Sequence, residues 1–386
     1  MKPVFSASRI LSIDVFRALT MFFMIFVNDL WSLSGVPHGL EHAKAGEDFL
    51  GFSDIIFPSF LFILGMSIPF AVENRKNKGE SNLTIVKHII FRSIALLVMG
   101  LFTVNYESLD KSIMNKDVYL MLMLTGFFLI WDIYPKRQDR SKYIFKGLQM
   151  AGIVLLIFLA FIFRNSKGEI MQHKWWGILG LIGWSYLICA LIYVFIRQNL
   201  KYQILAWLLF IVLCMAGASY RLGIFGGILP GNGTLHAFTM GGLLLSLLFN
   251  RYSFKKMLPW LIVLGISLLI FGRISNHFWI ISKIGDTPPW LFYCSGISVL
   301  SYLFIYWLVE ENGKYSWFYC IEPAGTATLT CYLIPYWLYA IFSLTSFSIP
   351  PTWLIYPGGL LKCILFSFLT VWITYGLSKI GIKLKI

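Results

Sequence analysis

The stretch FSDIIFPSFLFILGMSIPFAVE, residues 52–73, carries charge only at Asp54 and Glu73. As a helix rising 1.5 Å per residue it reaches about 33 Å, enough to cross the roughly 30 Å hydrocarbon core of a bilayer. The same pattern recurs on both sides of it. Apolar runs occupy 9–33, 84–104, 117–134, 146–163, 175–196, 202–218, 232–250, 257–272, 288–309, 325–345 and 353–377, and only Arg197, Gln198, Asn199 and Lys201 interrupt the sixth and seventh runs. Of the 386 residues, 58% are hydrophobic and 13% charged, against about 25% charged in soluble domains. A chain this apolar cannot clothe its own surface with polar groups, so its solvent is lipid. Strand-type alternation is absent, which argues against a barrel. The expected fold is all-α: a polytopic transmembrane helix bundle of about 12 spans (10–12), one integral-membrane domain over residues 1–386.

The net charge is +14. In a soluble protein this would suggest nucleic acid, but here Lys and Arg cluster in alternate short loops. Lys2 and Arg9 precede the first run. Arg75, Lys76 and Lys78 follow the second, Lys136, Arg137, Arg140 and Lys142 the fourth, and Arg251, Lys255 and Lys256 the eighth; Lys379, Lys383 and Lys385 end the chain. The positive-inside rule places these loops and both termini in the cytoplasm, and no nucleic-acid partner is expected. The first run carries Asp14 and Arg17, unlike the core of a cleavable signal. The six cysteines form no CxxC pair and lie mostly in apolar runs, as small hydrophobes. No metal-ligand spacing is present, so no metal is expected.

Polar residues inside apolar runs are expensive and mark sites to inspect. Asp14 and Arg17 are three apart and share a helix face. They are either a self-paired packing device or a basic element that receives an anionic ligand. Asn28 closes the first run, and Asp54 opens the second, where capping alone would also account for it. The long loop between these runs holds Glu41, His42 and Asp48. A hairpin would bring Asn28, His42 and Asp54 to one depth. Histidine is the usual general base near neutral pH, a carboxylate holds its tautomer, and an amide stabilises an oxyanion. Five of the six histidines lie on or near this same face. A glycine-rich turn over 226–233, leading through Asn232 to His236, permits close backbone approach to a ligand.

The combination Arg9-x-x-Ser12-x-Asp14-x-Phe16-Arg17, Met24-Ile-Phe-Val-Asn28, His42 and Asp54-Ile-Ile-Phe57-Pro58 resembles the heparan-α-glucosaminide N-acetyltransferase family, and in particular its bacterial NagX-type branch. Pro230-Gly-Asn-Gly233, His236-Ala-Phe-Thr-Met-Gly241-Gly242 and Pro323-Ala-Gly325-Thr-Ala-Thr-Leu-Thr330 extend the resemblance along the chain. It implies transfer of an acetyl group from cytoplasmic acetyl-CoA to a glucosamine-type amine on the far side of a bacterial inner membrane. By the same resemblance His42, Asn28 and Asp54 are catalytic, and Arg9, Asp14 and Arg17 face the acetyl-CoA. Glu41, His236 and Asn232 are the candidate contacts to the amino-sugar acceptor, and a homodimer is implied by analogy. Three departures bear on the acceptor. The family's Phe-Arg-Gly reads Phe16-Arg17-Ala18, the His-to-Asp spacing is longer than in the animal enzymes with a loop Trp absent, and the animal proteins' large luminal domain has no counterpart. An amino-sugar transporter or permease is the rival reading, weakened by the lack of a visible inverted repeat.

Overall fold

The computed structural model describes residues 10–135, 141–220 and 232–384, and every regular element of any length among them is a helix. These are α1 (Leu11–Asp29), α2 (Ser53–Asn77), α3 (Asn82–Glu107), α4 (Lys116–Trp131), α5 (Ser141–Ile162), α6 (Ile178–Ile196), α7 (Leu200–Tyr220), α8 (Thr234–Arg251), α9 (Phe254–Ser275), α10 (Pro288–Tyr306), the short α11 (Glu322–Thr326), α12 (Thr328–Leu344) and α13 (Gly358–Lys379). Each expected apolar run contains one long helix. The stretch 175–218 is two helices, parted at Arg197, whose φ is +54°. The run at 325–345 is broken at Ala327 (φ −126°, ψ 46°) into α11 and α12. Among the described residues nine helices are long and apolar enough to cross a membrane. Helices α4, α8 and α12 are not among the nine; α4 and α12 are 16 and 17 residues long.

Sequence signals explain several helix starts. Ser81 caps α3 by accepting from the Thr84 N–H at 3.2 Å, and Asn115 caps α4 by accepting from the Asp117 and Val118 N–H groups. Pro288 opens α10, where its missing N–H costs nothing. Rings and long aliphatic side chains such as Phe91, Phe161, Val212 and Trp372 stand exposed, as expected of surfaces that face acyl chains.

The loops gather at two ends. At one, the Ser12 N–H donates to Glu310, Arg197 pairs with Glu73 at 2.6 Å, and the Leu384 N–H donates to Thr330. At the other, the Ser34 N–H donates to the Leu354 carbonyl, the Gln172 N–H to Asn105, and Ser343 to Asp117. The first end holds the first and last described residues, Ile10 and Leu384, with the basic residues Arg75, Lys76, Arg197, Arg251 and Lys379 at the helix ends there, and is called the basic end below. The second is called the loop end. The tightest seam joins α2 and α8. A Cβ on Gly65 would lie 1.8 Å from the Thr239 carbonyl oxygen, and one on Gly242 1.8 Å from that of Phe62. The helices touch backbone to backbone, which is how helices associate in a solvent as apolar as their own side chains.

Candidate functional site

At the loop end, residues 39–41 cross the start of α2. The Phe52 N–H donates to the Gly39 carbonyl at 2.8 Å, and the Ser53 hydroxyl to that of Leu40. Gly51 makes this crossing possible, because a Cβ there would sit 1.9 Å from the Glu41 carbonyl oxygen. The crossing delivers His42 to Asp54: Nδ1 and Oδ1 are 2.7 Å apart. The second carboxylate oxygen accepts the N–H groups of Ala43 at 2.9 Å and Gly51 at 3.3 Å. The Asp54 backbone carbonyl accepts from Trp290 Nε1 at 3.0 Å. Asp54 makes no side-chain capping bond to its own helix, and its carboxylate serves the loop before it instead. It is 2% exposed in its side chain, whereas that of His42 is 44% exposed. The buried carboxylate grips Nδ1 and leaves Nε2 without a hydrogen bond among the described residues on a half-exposed ring, the arrangement of a histidine able to accept a proton or an acyl group.

A second loop, 276–287, completes the site. Asp48 accepts from Asn276 Nδ2 at 2.9 Å and from the Ile281 N–H at 2.7 Å. These bonds carry Lys283 to the dyad, with Nζ 3.4 Å from His42 Nδ1. Burial draws the Lys283 pKa below its usual value, and the Asp54 carboxylate pulls it back up. Sequence reading missed this lysine, which lies 241 residues from His42 in an ordinary-looking turn.

The remaining candidates fall in different places. Asn28 is exposed at the end of α1 and makes no side-chain hydrogen bond among the described residues, to His42 or otherwise. Glu41 is exposed beside His42. His236 is buried, stacked on Phe210 at 5.1 Å, with Nε2 unpartnered among the described residues. It makes no hydrogen bond or ring contact with the dyad. Asn232 uses its amide to hold the Asp286 carbonyl at 2.9 Å and the Thr234 hydroxyl at 2.5 Å. The rest of the glycine-rich turn, through Gly231, and Arg9 lie outside the described residues.

Asp14 and Arg17 pair at 2.9 Å near the basic end, and Arg17 also donates to Ser67 at 2.6 Å. Arg17 lines a cavity of about 400 Å³ together with Arg92, Lys383, Tyr186, Ser67 and Thr328. Arg92 lies over the Tyr186 ring at 4.6 Å, and its Nε is buried with no partner among the described residues. Along α2 the lining runs from Ala71 to Phe60, roughly 16 Å at 1.5 Å per residue. It stops about 9 Å short of the level of Asp54 on the same scale. Asn28 lies eleven residues after Arg17, about 20° around α1 at 100° per residue, so one helix face joins the cavity's cation to the loop end.

A third polar cluster was also missed. Asp29, fully buried, accepts Lys362 Nζ at 2.8 Å on both oxygens and the Tyr339 hydroxyl at 2.9 Å. A lone lysine in the apolar stretch of α13 was the available signal. Its partner could not be read from sequence, because 333 residues separate the two.

Residues 9–107 match the family described as heparan-alpha-glucosaminide N-acetyltransferase, catalytic. The chain is 33% identical over 100 residues to the heparan-alpha-glucosaminide N-acetyltransferase of Mus musculus, covering 26% of this chain and 14% of that protein. It is 32% identical over 97 residues to the Homo sapiens protein of the same name, again 14% of its length. The matched stretch thus spans about a seventh of these relatives. It comprises α1 to α3 and contains Asp14, Arg17, Asn28, His42, Asp54 and Arg92. Residues 9–107 carry the catalytic-region pattern of that family.

Proposed function

We propose that this chain, an integral membrane protein, is a transmembrane acetyltransferase of a bacterial inner membrane. It would draw acetyl-CoA from the basic, cytoplasmic end and acetylate the amine of a glucosamine-type sugar at the loop end. The observation that supports this reading best is the alignment of two half-sites along α2. A cavity with Arg17, Arg92 and Lys383 in its wall climbs from the basic end toward the depth of Asp54. The His42–Asp54 pair opens at the other.

CoA is polyanionic, and its thiol arm is long, thin and uncharged. The cations of the cavity hold the phosphates near water, so no phosphate enters hydrocarbon, and the acetylated arm runs along the Arg17–Asn28 face of α1. At the far end the sugar amine attacks the thioester carbonyl, the C–S bond breaks, and the amine's proton leaves with the thiolate as free CoA. His42 Nε2 takes that proton in transit, or first accepts the acetyl group itself and passes it on. Asp54 keeps the proton of the neutral ring on Nδ1. Asn28, with its amide unengaged, supplies the donor for the tetrahedral oxyanion. Of the three acceptor candidates, Glu41 is best placed, exposed beside the imidazole. Asn232 and His236 serve the seam between α7, α8 and the loop before α10.

The test is release of CoA thiol by the purified protein in nanodiscs given acetyl-CoA and glucosamine, beside a His42→Ala variant. Thiol release that depends on the sugar and disappears in the variant supports the proposal. Absence of release with glucosamine and other amino sugars, from protein that unfolds cooperatively, overturns it.

A further inference from the structure

The ammonium of Lys283 lies beside a histidine that already has a carboxylate partner. His42 Nδ1 faces both Asp54 Oδ1 at 2.7 Å and Lys283 Nζ at 3.4 Å. One ring nitrogen cannot donate to a carboxylate and accept from an ammonium at once, so the shorter contact, to the carboxylate, assigns the Nδ1 proton to the Asp54 bond. Lys283 then acts by charge. Its position is built rather than incidental. Asp48 clamps the 276–287 loop through Asn276 and Ile281, and Thr287 closes the loop by accepting the Ser282 N–H at 2.9 Å. Trp290, just inside α10, is bonded to the Asp54 carbonyl.

The groups around the imidazole come from each packed element. Asp54 faces it from α2 and Lys283 from the loop before α10. Behind these, the Cys294 thiol of α10 leans on the Asp54 carbonyl at 3.8 Å. In the histidine's own segment Glu41 and Lys44 are exposed, while Glu47 is engaged by His38 at 2.8 Å. The groups set directly against the ring are thus one anion and one cation. An anion alone would favour the doubly protonated ring, and the cation opposes a second positive charge.

We propose that Lys283 is a positioning residue of this site, a charge counterweight to Asp54 that holds His42 as the neutral tautomer with Nδ1–H on the carboxylate and Nε2 free. This deepens the acetyltransferase reading, but its test is independent of acetyl transfer. Of the two forms of a histidine, diethyl pyrocarbonate modifies only the neutral one, so the rate at which the His42 ring is labelled, located by fragmentation in mass spectrometry from about pH 5 to 8, reports the ring's protonation state. The exposed His38, His88 and His277 serve as internal references.

In Lys283→Met the half-point of His42 labelling should rise by about one to two pH units, with the references unmoved. Lys283→Arg, which keeps the charge, should restore the wild-type half-point. An unchanged half-point in Lys283→Met, or a shift that Lys283→Arg fails to reverse in protein of normal thermal stability, overturns the proposal. Labelling that follows the expected course in protein that shows no acetyl transfer would retain the charge counterweight and remove the transferase reading.

Discussion

Replacing Asp54 by Asn separates the two tasks of this carboxylate. One oxygen meets His42 Nδ1 at 2.7 Å, and the other takes the N–H groups of Ala43 and Gly51 at 2.9 and 3.3 Å. An amide has one acceptor and one donor end, so only one task survives. If the NH2 faced the two backbone N–H groups, two buried donors would lose their acceptor, at about 1–3 kcal/mol each. If the NH2 faced His42, the ring would need only to exchange tautomers. The second orientation wins by a few kcal/mol, and it places the ring proton on Nε2, where the proposed transfer needs a lone pair. We therefore expect Asp54→Asn to fold with a loss of about 1–2 kcal/mol, from exchanging a charged for a neutral hydrogen bond. Its transfer rate should fall by about 10³–10⁴, the scale of the same exchange in a hydrolase triad. The assay is CoA thiol release beside thermal unfolding in the same detergent. A folded variant that keeps transfer within about tenfold of wild type would refute the tautomer argument.

Gly65→Ala should lower stability by at least about 1–3 kcal/mol, since its Cβ meets backbone at 1.8 Å. Gly147→Ala in α5, with nothing within 4 Å, should be neutral or stabilising by up to about 1 kcal/mol, and a thermal-shift comparison decides. Lys362→Met strands the buried Asp29 carboxylate and should cost about 3–5 kcal/mol, most of which Asp29→Asn in the same chain recovers; equal melting temperatures for Lys362→Met and wild type would contradict this. Burial raises the Asp286 carboxyl pKa to about 7. Folding then favours its protonated form, so its penalty is absent at low pH and grows from about pH 4, where the unfolded group ionises, until it is complete above the folded value. Asp286→Asn, at a backbone φ of +50° that Asn tolerates, should match wild type at pH 4 and be more stable at pH 8. Three pKa units set a ceiling of about 4 kcal/mol, and the side chain's partial exposure brings the expectation to about 1–2 kcal/mol; melting curves at both pH values test it.

The helices, their order and the gathering of basic loops at one end were legible in the chain itself. Lipid requires each crossing segment to satisfy its backbone locally and present an apolar surface, so each helix writes itself as a continuous run. The pairing of His42 with Asp54 was half-legible, because the two lie twelve residues apart across one turn. Depth along a hairpin follows from counting residues, but the hydrogen bond depended on Gly51 letting residues 39–41 lie against α2. The same counting brought Asn28 to that depth without bringing it into contact. Lys283, Arg92 and the Asp29–Lys362 pair were decided only by how helices and loops far apart in sequence come together. A run's apolar periphery fixes that it crosses, while its rotation and neighbours depend on close fits such as Gly65 against Thr239 and Gly242 against Phe62, which composition does not encode. Thus α1 to α3 could be read for chemistry, and the cation and cavity that complete them had to come from the tertiary structure.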